Sequence, residues 1–238
     1  MIAAESIYVA HSKRLHERRA HLEPALRTLG WPVEWVDQFD PPELPRNLLT
    51  HRLGKRVPKP GEVSLYLKRT EILRRVARRE ARALVLEDDA VLPIDFATRW
   101  TQYAGALPSD FDLVFFGASE GMEADALGSN PLFARADRTR STSGYLITPA
   151  CAAILIEQLE EAPRAAPIDH AINRIIRESA LDDGRALQVY WSVPALIANG
   201  SEIGLFPHSL GVAWREQTWR GRIARAVGRL RALVQGGD

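Results

Sequence analysis

The sequence predicts an α/β fold in which a mostly parallel central sheet is flanked by helices, and three observations support that prediction. The chain opens with a strand-like run at 6–10, a helical pattern from Ser12 to about Leu29 and a second alternating run at 33–37. This β-α-β order is typical of parallel sheets. The run FDLVFFG at 111–117 is apolar through its centre, as in a strand buried on both faces. At 238 residues and 46% hydrophobic composition, the chain can bury the core of one large domain.

The remaining elements follow from hydrophobic spacing and from helix and turn signals. Gly30 and Pro32 end the first helix, and Pro149 suits the first turn of a later one. Two segments rich in turn-forming or small residues, at 40–61 and 118–138, are predicted loops. The other predicted elements are, in order, a helix at 62–79, a strand at 83–87, a helix at about 95–106, the strand at 111–117, a strand at 141–148, helices at 149–161 and within 166–179, and a strand at 188–198.

Composition narrows the classes of function. With 31 basic and 30 acidic residues the formal charge is +1, which argues against a polycation that binds nucleic acid. The single cysteine, Cys151, lies in the apolar run CAAILI, so no internal disulfide can form and a reducing cytoplasm is the expected location. The N-terminus makes a poor signal peptide, and no apolar run reaches the length of about eighteen residues that a spanning helix needs. We therefore expect a chain that is soluble or peripheral on a membrane.

The segment 214–238 differs in composition from the domain that we assign to 1–213. From Trp214 to Gln235 it holds six arginines and one glutamate, with apolar residues spaced for one helical face. Such a basic amphipathic helix can lie in an anionic membrane interface, here on the inner face of the membrane. A helix packed on the domain with its arginines in water explains the same pattern. Both interpretations stay open.

Three adjacent carboxylates, Glu87, Asp88 and Asp89, end the predicted strand at 83–87. Ligands of open α/β sheets bind beyond the carboxyl ends of the strands, so this position favours a binding site. Neighbouring carboxylates repel one another, and a hard cation such as Mg²⁺ or Mn²⁺ is a simple compensator. In an extended chain Glu87 and Asp89 would face one way and Asp88 the other. A solvated strand end or a cap for the next helix are the alternatives.

Beyond these acids, the chain resembles glycosyltransferase family 25, which includes lipopolysaccharide and lipooligosaccharide glycosyltransferases and is related to the collagen galactosyltransferases. ALVLEDDAVL at 83–92 is similar to the LEDD signature of that family. The resemblance covers about residues 5–204 through a series of segments in the order of the family. The other similar segments are IYVAHSKRLHERRAHLEPALRTLGWPVEWVDQFD, GEVSLYLKRTEILRRV, FDLVFFG, TSGYLITPACAAIL, PIDHAI and VYWSVPALIANGSEIG.

The resemblance implies a GT-A-like nucleotide-sugar-binding fold and an inverting transfer from a UDP-sugar, of galactose or a related hexose, to a glycan or lipid-linked acceptor such as lipopolysaccharide or another surface polysaccharide. By position, Glu87 and Asp89 become a D-x-D-like pair that holds Mn²⁺ or Mg²⁺ and the donor, with Asp88 beside them. Asp169 in PIDHAI is the candidate catalytic base. An N-cap role suits Asp169 equally well, and His170 is a weaker alternative base.

Further candidates come from the flanking segments. Arg14 and Arg18 lie one helical turn apart after the first strand, where a diphosphate or uracil can be met; plain solvent exposure is the alternative. His208 is a candidate late metal ligand, although a lone histidine is more often structural. The remaining candidate donor-binding residues are Glu62, Thr142, Ser143, Gly144 and Tyr145.

One segment departs from the family pattern. The helix before LEDD usually reads close to G-E-x-G-C-x-x-S-H, whereas this chain has GEVSLYLKR at 61–69, with Lys68 and Arg69 in place of Ser and His. The departure implies an altered donor choice or a catalytically silent module that binds a sugar nucleotide or glycan. A phosphoryl- or nucleotidyl-transferring enzyme is a third hypothesis, but the chain has no G-x-x-x-x-G-K-[ST] loop.

Overall fold

A central sheet flanked by helices organises the computed structural model, which describes residues 6–45, 58–118, 130–139, 141–161, 167–181 and 184–207. The helices are α1 (His16–Arg27), a short 3₁₀ helix (Pro41–Glu43), α2 (Pro60–Ala77), α3 (Phe96–Gly105), α4 (Pro149–Glu161) and α5 (Ile168–Glu178). The strands are β1 (Ser6–Ala10), β2 (Val33–Val36), β3 (Ala83–Glu87), β4 (Ala90–Val91), β5 (Leu113–Phe115), β6 (Phe133–Ala136), β7 (Gly144–Ile147), β8 (Val189–Ser192) and β9 (Ala198–Asn199).

The main sheet has seven strands in the order β2-β1-β3-β7-β5-β8-β6. Strands β2, β1 and β3 are parallel neighbours, and β5 is parallel to β8. Strand β7 runs antiparallel to both β3 and β5, and the edge strand β6 runs antiparallel to β8. Five of the seven strands therefore point one way, which confirms the predicted mostly parallel α/β sheet.

Two of the predicted segments differ from the structure. The predicted loop at 118–138 contains β6, a strand that the sequence hides because only its first two residues, Phe133 and Ala134, are buried. The predicted strand at 188–198 is two strands, β8 and β9. Pro194 has no N–H to donate to a ladder, and β8 ends at Ser192. Strand β9 then pairs with β4 in a separate two-stranded sheet.

Hydrophobic cores cover both faces of the main sheet. Alternating side chains supply them: Tyr8 and Val85 belong to the core under α2, α4 and α5, while Ile7 and Leu84 belong to the core under α1 and α3. Each fully buried aliphatic side chain contributes about 1.5–3 kcal/mol to folding. Cys151 is fully buried in the first core, as its apolar neighbours predict. None of the helices in the described ranges is long and apolar enough to cross a membrane.

The register of the sheet brings several loops to one edge. Ala10 pairs with both Val36 and Glu87, so β1, β2 and β3 end level with one another. Strand β7 runs the opposite way and begins here, with Gly144 opposite Leu86. The segments that follow β1, β2 and β3, and the segment that precedes β7, therefore meet at the same edge.

Candidate functional site

A cleft of about 220 Å³ lies at this edge of the sheet. Its walls come from the segment after β1, from α1 and α2, from the acids after β3 and from the turn after β9. Of the residues predicted from sequence, the cleft is lined by Arg14, Arg18, Glu87, Asp88 and Asp89. The carboxyl ends of parallel strands are the expected ligand position in such a sheet. The fold thus assembles five of the predicted donor-binding or metal residues in one place.

Asp88 is buried and receives hydrogen bonds from two sides. Its Oδ1 accepts from Arg18 Nη1 at 2.8 Å, and its Oδ2 accepts from the N–H of Ser12 at 3.0 Å and lies 3.1 Å from His11 Nδ1. Burial acts to raise the pKa of the Asp88 carboxyl, but the contacts with His11, Arg18 and Ser12 outweigh it and hold that pKa below its usual range. Asp88 is therefore ionised and fully engaged by the protein.

Asp89 is also buried, but its carboxylate accepts fewer hydrogen bonds than that of Asp88. Ser201 Oγ donates to its Oδ2 at 2.5 Å, and Arg18 Nη1 lies 3.4 Å from the same oxygen. Its Oδ1 is buried without a hydrogen-bond partner among the described residues. Burial raises the pKa of the Asp89 carboxyl, and the charge of Arg18 opposes that rise only in part. An unpaired carboxylate oxygen beside a cleft is ready to accept a hydrogen bond from a ligand.

Arg18 joins the acids to the last described segment of the chain. Its Nη2 donates to Ser201 Oγ at 3.0 Å and to the carbonyl oxygen of Pro207 at 2.8 Å, and its guanidinium lies 5.6 Å from the ring centroid of Phe206. The predicted alternative of solvent exposure is wrong for this residue, because Arg18 is buried. Arg18 holds the acid cluster and the segment 201–207 together.

Glu87 faces a different partner. It forms an ion pair with Arg69 Nη2, and Thr142 Oγ1 donates to its Oε1 at 3.0 Å. The predicted division, with Glu87 and Asp89 facing the ligand and Asp88 turned away, is therefore wrong: Asp88 and Asp89 share Arg18, while Glu87 lies with Arg69. The physical reason is that β3 ends at Glu87 and the next two residues form a turn, so the alternation of an extended strand stops there.

Lys68 is a buried cation that sequence reasoning did not place in the site. Its Nζ pairs with Asp40 Oδ1 and donates to the carbonyl oxygen of His11 at 2.5 Å. Asp40 Oδ2 also accepts the N–H of Lys13 at 2.9 Å. These contacts fasten the segment after β2 to the segment after β1, and they set one wall of the cleft.

The helical spacing of the sequence does indicate that Lys68 and Arg69 are buried. Both fall on the buried side of α2: Lys68 is three positions from Leu65, and Arg69 is three positions from Tyr66. A charged residue at an apolar position of a helical pattern needs a buried partner. No comparable local signal marks Asp40, His11 or Ser201.

The four residues at 142–145 that are predicted to bind the donor differ in burial and in contacts. Thr142 reaches Glu87 and Arg69, as described. Ser143 is fully buried in the protein, and Tyr145 is a core residue whose pKa burial raises to about 12. At Gly144 a Cβ would lie 2.4 Å from Ile197 Cδ1, so the glycine serves close packing inside the protein. The structure therefore corrects the predicted donor contacts of Ser143, Gly144 and Tyr145, which do not line the cleft.

Asp169 lies in the first turn of α5 and is partly buried. The N-cap position belongs to Pro167, so the N-cap alternative for Asp169 is wrong. Burial lowers the pKa of Arg69, and the charges of nearby groups, including Asp169 and Asp89, oppose that shift. Asp169 is thus an electrostatic neighbour of Arg69 and does not line the cleft, whereas His170 beside it is exposed.

Glu62 does not line the cleft. The Glu62 carboxylate accepts the N–H of Lys59 at 3.0 Å, which caps the start of α2. His208 lies outside the described residues. Glu62 therefore acts in helix capping, and the metal role of His208 stays a prediction.

The side chains present fit a divalent metal poorly. The described ranges contain no group of three or more His, Cys, Asp or Glu residues placed to hold a metal ion. Guanidinium groups already contact all three acids, since Arg18 faces Asp88 and Asp89 and Arg69 faces Glu87. Asp89 Oδ1 remains as an unpaired buried oxygen. One oxygen is a small share of the ligands that Mg²⁺ or Mn²⁺ requires.

Comparisons with known proteins include a structural likeness but no match in sequence. No protein-family model matches the chain, and no curated protein matches it. Among solved structures, the fold is similar to the crystal structure of a glycosyltransferase involved in the glycosylation of the major capsid of PBCV-1. The two share 13% sequence identity and a TM-score of 0.48, and the match covers 82% of this chain and 92% of the other.

Proposed function

We propose that this chain is a glycosyltransferase that takes a hexose from a UDP-sugar and transfers it, with inversion, to a glycan acceptor such as lipopolysaccharide or another surface polysaccharide. The observation that carries the proposal is the convergence of Glu87, Asp88, Asp89, Arg14 and Arg18 on one cleft at the carboxyl ends of β1 and β3. Nucleotide ligands bind at this position in open α/β sheets. The resemblance of the chain to glycosyltransferase family 25 supports the sugar donor and the acceptor class.

Arg14 is the proposed contact for the donor diphosphate. It lines the cleft and is exposed, and within the described ranges it forms no ion pair or hydrogen bond. Lys68 and Arg18, the other cations of the cleft wall, are already paired with acids. An exposed guanidinium can make two parallel hydrogen bonds to phosphate oxygens. Asp89 Oδ1 is the proposed acceptor for a hydroxyl group of the donor, because no described residue donates a hydrogen bond to it.

Asp169 is the proposed catalytic base. In an inverting transfer the acceptor oxygen attacks the anomeric carbon of the donor, its proton passes to the base, and the bond from that carbon to the diphosphate breaks. UDP leaves with the electron pair of the broken bond. Asp169 is partly exposed and lies near Arg69, and Arg69 pairs with Glu87 in the wall of the cleft. Assistance by Mn²⁺ or Mg²⁺ stays a prediction from the resemblance, and no step here depends on it.

A silent module that binds a sugar nucleotide without transferring the sugar is the second candidate. The ion pair between Arg69 and Glu87 favours it, because a carboxylate of the LEDD-like run is already neutralised inside the protein. The two candidates share the donor contacts and differ only in turnover. Release of UDP from a UDP-hexose in the presence of a glycan acceptor would support the enzyme, and binding without release would support the silent module.

Calorimetric titration with UDP and UDP-hexoses tests the shared part of the proposal. We expect saturable binding to the full chain and about tenfold weaker binding in Arg14→Gln, the loss expected for one charge-assisted hydrogen bond. Arg27→Gln is the matched control, because Arg27 is an exposed arginine at the other end of α1. Absence of binding to the unmodified chain contradicts the proposal, as does equal weakening in both variants.

A further inference from the structure

We infer that the acid cluster Glu87-Asp88-Asp89 is neutralised from within the protein by Arg18 and Arg69, and that the site binds its nucleoside diphosphate without a divalent cation. The inference rests on the proposed function only for the identity of the ligand. It departs from the D-x-D-like metal pair that the resemblance implies. Three features of the structure support it: the position of Arg18, the position of Arg69, and the guanidinium of Arg14, which has no acidic partner among the described residues.

Arg18 occupies the space between two of the acids. Its Nη1 lies 2.8 Å from Asp88 Oδ1 and 3.4 Å from Asp89 Oδ2, with 4% of its side chain exposed. The same guanidinium is held on its other side by Ser201 Oγ and by the carbonyl oxygen of Pro207. A metal ion bridging Asp88 and Asp89 would therefore have to displace a buried cation that has several other partners.

Arg69 neutralises the third acid. It pairs with Glu87 and with Thr142 Oγ1, and 3% of its side chain is exposed. The family that the chain resembles usually has histidine at this position. A neutral imidazole carries no charge and can bind a metal ion. A guanidinium keeps its charge at all pH values relevant to proteins. Replacing histidine by Arg69 therefore puts a permanent positive charge beside the acids.

Together these contacts change what the site can attract. Two fixed positive charges stand beside three carboxylates and cancel most of their negative charge, so the site attracts a divalent ion much less than an unpaired acid cluster would. A diphosphate still finds a free positive charge, because Arg14 at the cleft has no acidic partner in the described ranges. The unpaired Asp89 Oδ1 then accepts a hydroxyl of the ligand in place of ligating a metal.

Mn²⁺ titration of the full chain, followed by electron paramagnetic resonance, tests the inference without any nucleotide. We expect no specific Mn²⁺ site, and we expect the affinity for UDP to differ by less than about twofold between EDTA and excess Mn²⁺. One Mn²⁺ bound per chain, alone or together with UDP, and lost in Asp89→Asn, overturns the inference. A loss of UDP affinity of about tenfold or more in EDTA also overturns it.

The variant Arg69→His tests the cause. It restores the family residue, and we expect it to gain Mn²⁺ binding, while the matched control Arg27→His gains none. Unchanged absence of Mn²⁺ binding in a folded Arg69→His chain contradicts the role of Arg69. These measurements also distinguish the two proposals. If UDP binds neither in EDTA nor in excess Mn²⁺, the proposed function fails. The Mn²⁺ titration of the unmodified chain then still tests whether the site lacks a divalent cation.

Discussion

Asp88 and Asp89 are adjacent in the chain, yet their environments push their pKa values in opposite directions. Burial acts to raise both pKa values, but His11, Arg18 and Ser12 together lower the pKa of Asp88. The pKa of Asp89 stays raised, and its Oδ1 has no hydrogen-bond partner among the residues that the structure describes. Removing one partner of a fully paired buried charge destabilises the fold, whereas an incompletely paired charge is available to a ligand. We therefore assign Asp88 mainly to the architecture of the site and Asp89 mainly to its ligand.

Asp88→Asn tests that assignment. Removing this charge leaves Arg18 buried with a weaker partner, so we expect the free energy of unfolding to fall by about 3–5 kcal/mol at neutral pH. Because the folded pKa of Asp88 is lowered, its stabilisation is complete above the unfolded value of about 3.9 and is lost as the pH falls through the folded value. The difference between the two chains should therefore narrow only below about pH 4.

Urea unfolding at a series of pH values measures this difference. Asp95→Asn is the matched control, because the ion pair of Asp95 with Arg99 is exposed and contributes less than about 1 kcal/mol. A stability loss in Asp88→Asn no larger than in the control would contradict the structural role of Asp88. A difference in the free energy of unfolding that stays constant well below about pH 4 would also contradict this role.

At the scale of elements, the turn after β9 is as important to the site as the strand that carries the acids. The N–H of Gly200 donates to the carbonyl oxygen of Asp89 at 2.8 Å, which places Ser201 beside the Asp89 carboxylate. A Cβ at position 200 would lie 2.8 Å from that same carbonyl oxygen and 2.6 Å from the ring of Phe206. The turn can approach β3 this closely only because residue 200 is glycine.

Gly200→Ala should therefore separate the two segments. We expect a loss of about 1–3 kcal/mol in the free energy of unfolding, as for overpacking elsewhere, together with weaker UDP binding. Gly105→Ala is the control, because a Cβ at this helical residue meets nothing within 4 Å and should be neutral or slightly stabilising. Equal melting temperatures for the two variants would contradict the packing argument.

Some elements of the fold can be predicted from the sequence and others cannot. Helix α2 was predictable because Val63, Ile72 and Val76 recur at helical spacing and become buried. Strand β6 was not, because an edge strand with two buried residues has no distinctive pattern. The predicted alternation through Asp88 and Asp89 is wrong because β3 ends at Glu87, and the end of a strand depends on neighbouring segments that a local pattern does not reveal.

At the scale of the whole molecule, the segment 214–238 lies outside the described residues, and its membrane role stays a prediction from its charge pattern. We expect the full chain to bind vesicles that contain anionic lipid and to release them at high salt, since each basic residue near such a surface contributes about 1 kcal/mol. A chain ending at residue 214 should lose this binding. Cosedimentation with anionic and with neutral vesicles measures both effects, and binding that survives the truncation would contradict the prediction.

The class of the fold, the order of most elements and the position of three acids after a buried strand can all be predicted from the amino-acid sequence. These features are properties of neighbouring residues, and hydrophobic spacing reports them directly. The contacts of the acids depend on how distant segments pack in three dimensions. Arg18 lies 70 positions from Asp88, and Lys68 lies 57 positions from His11, so these groups meet only after helices and strands pack. Burial then determines which charges are paired, and that pairing decides which atoms remain for a ligand.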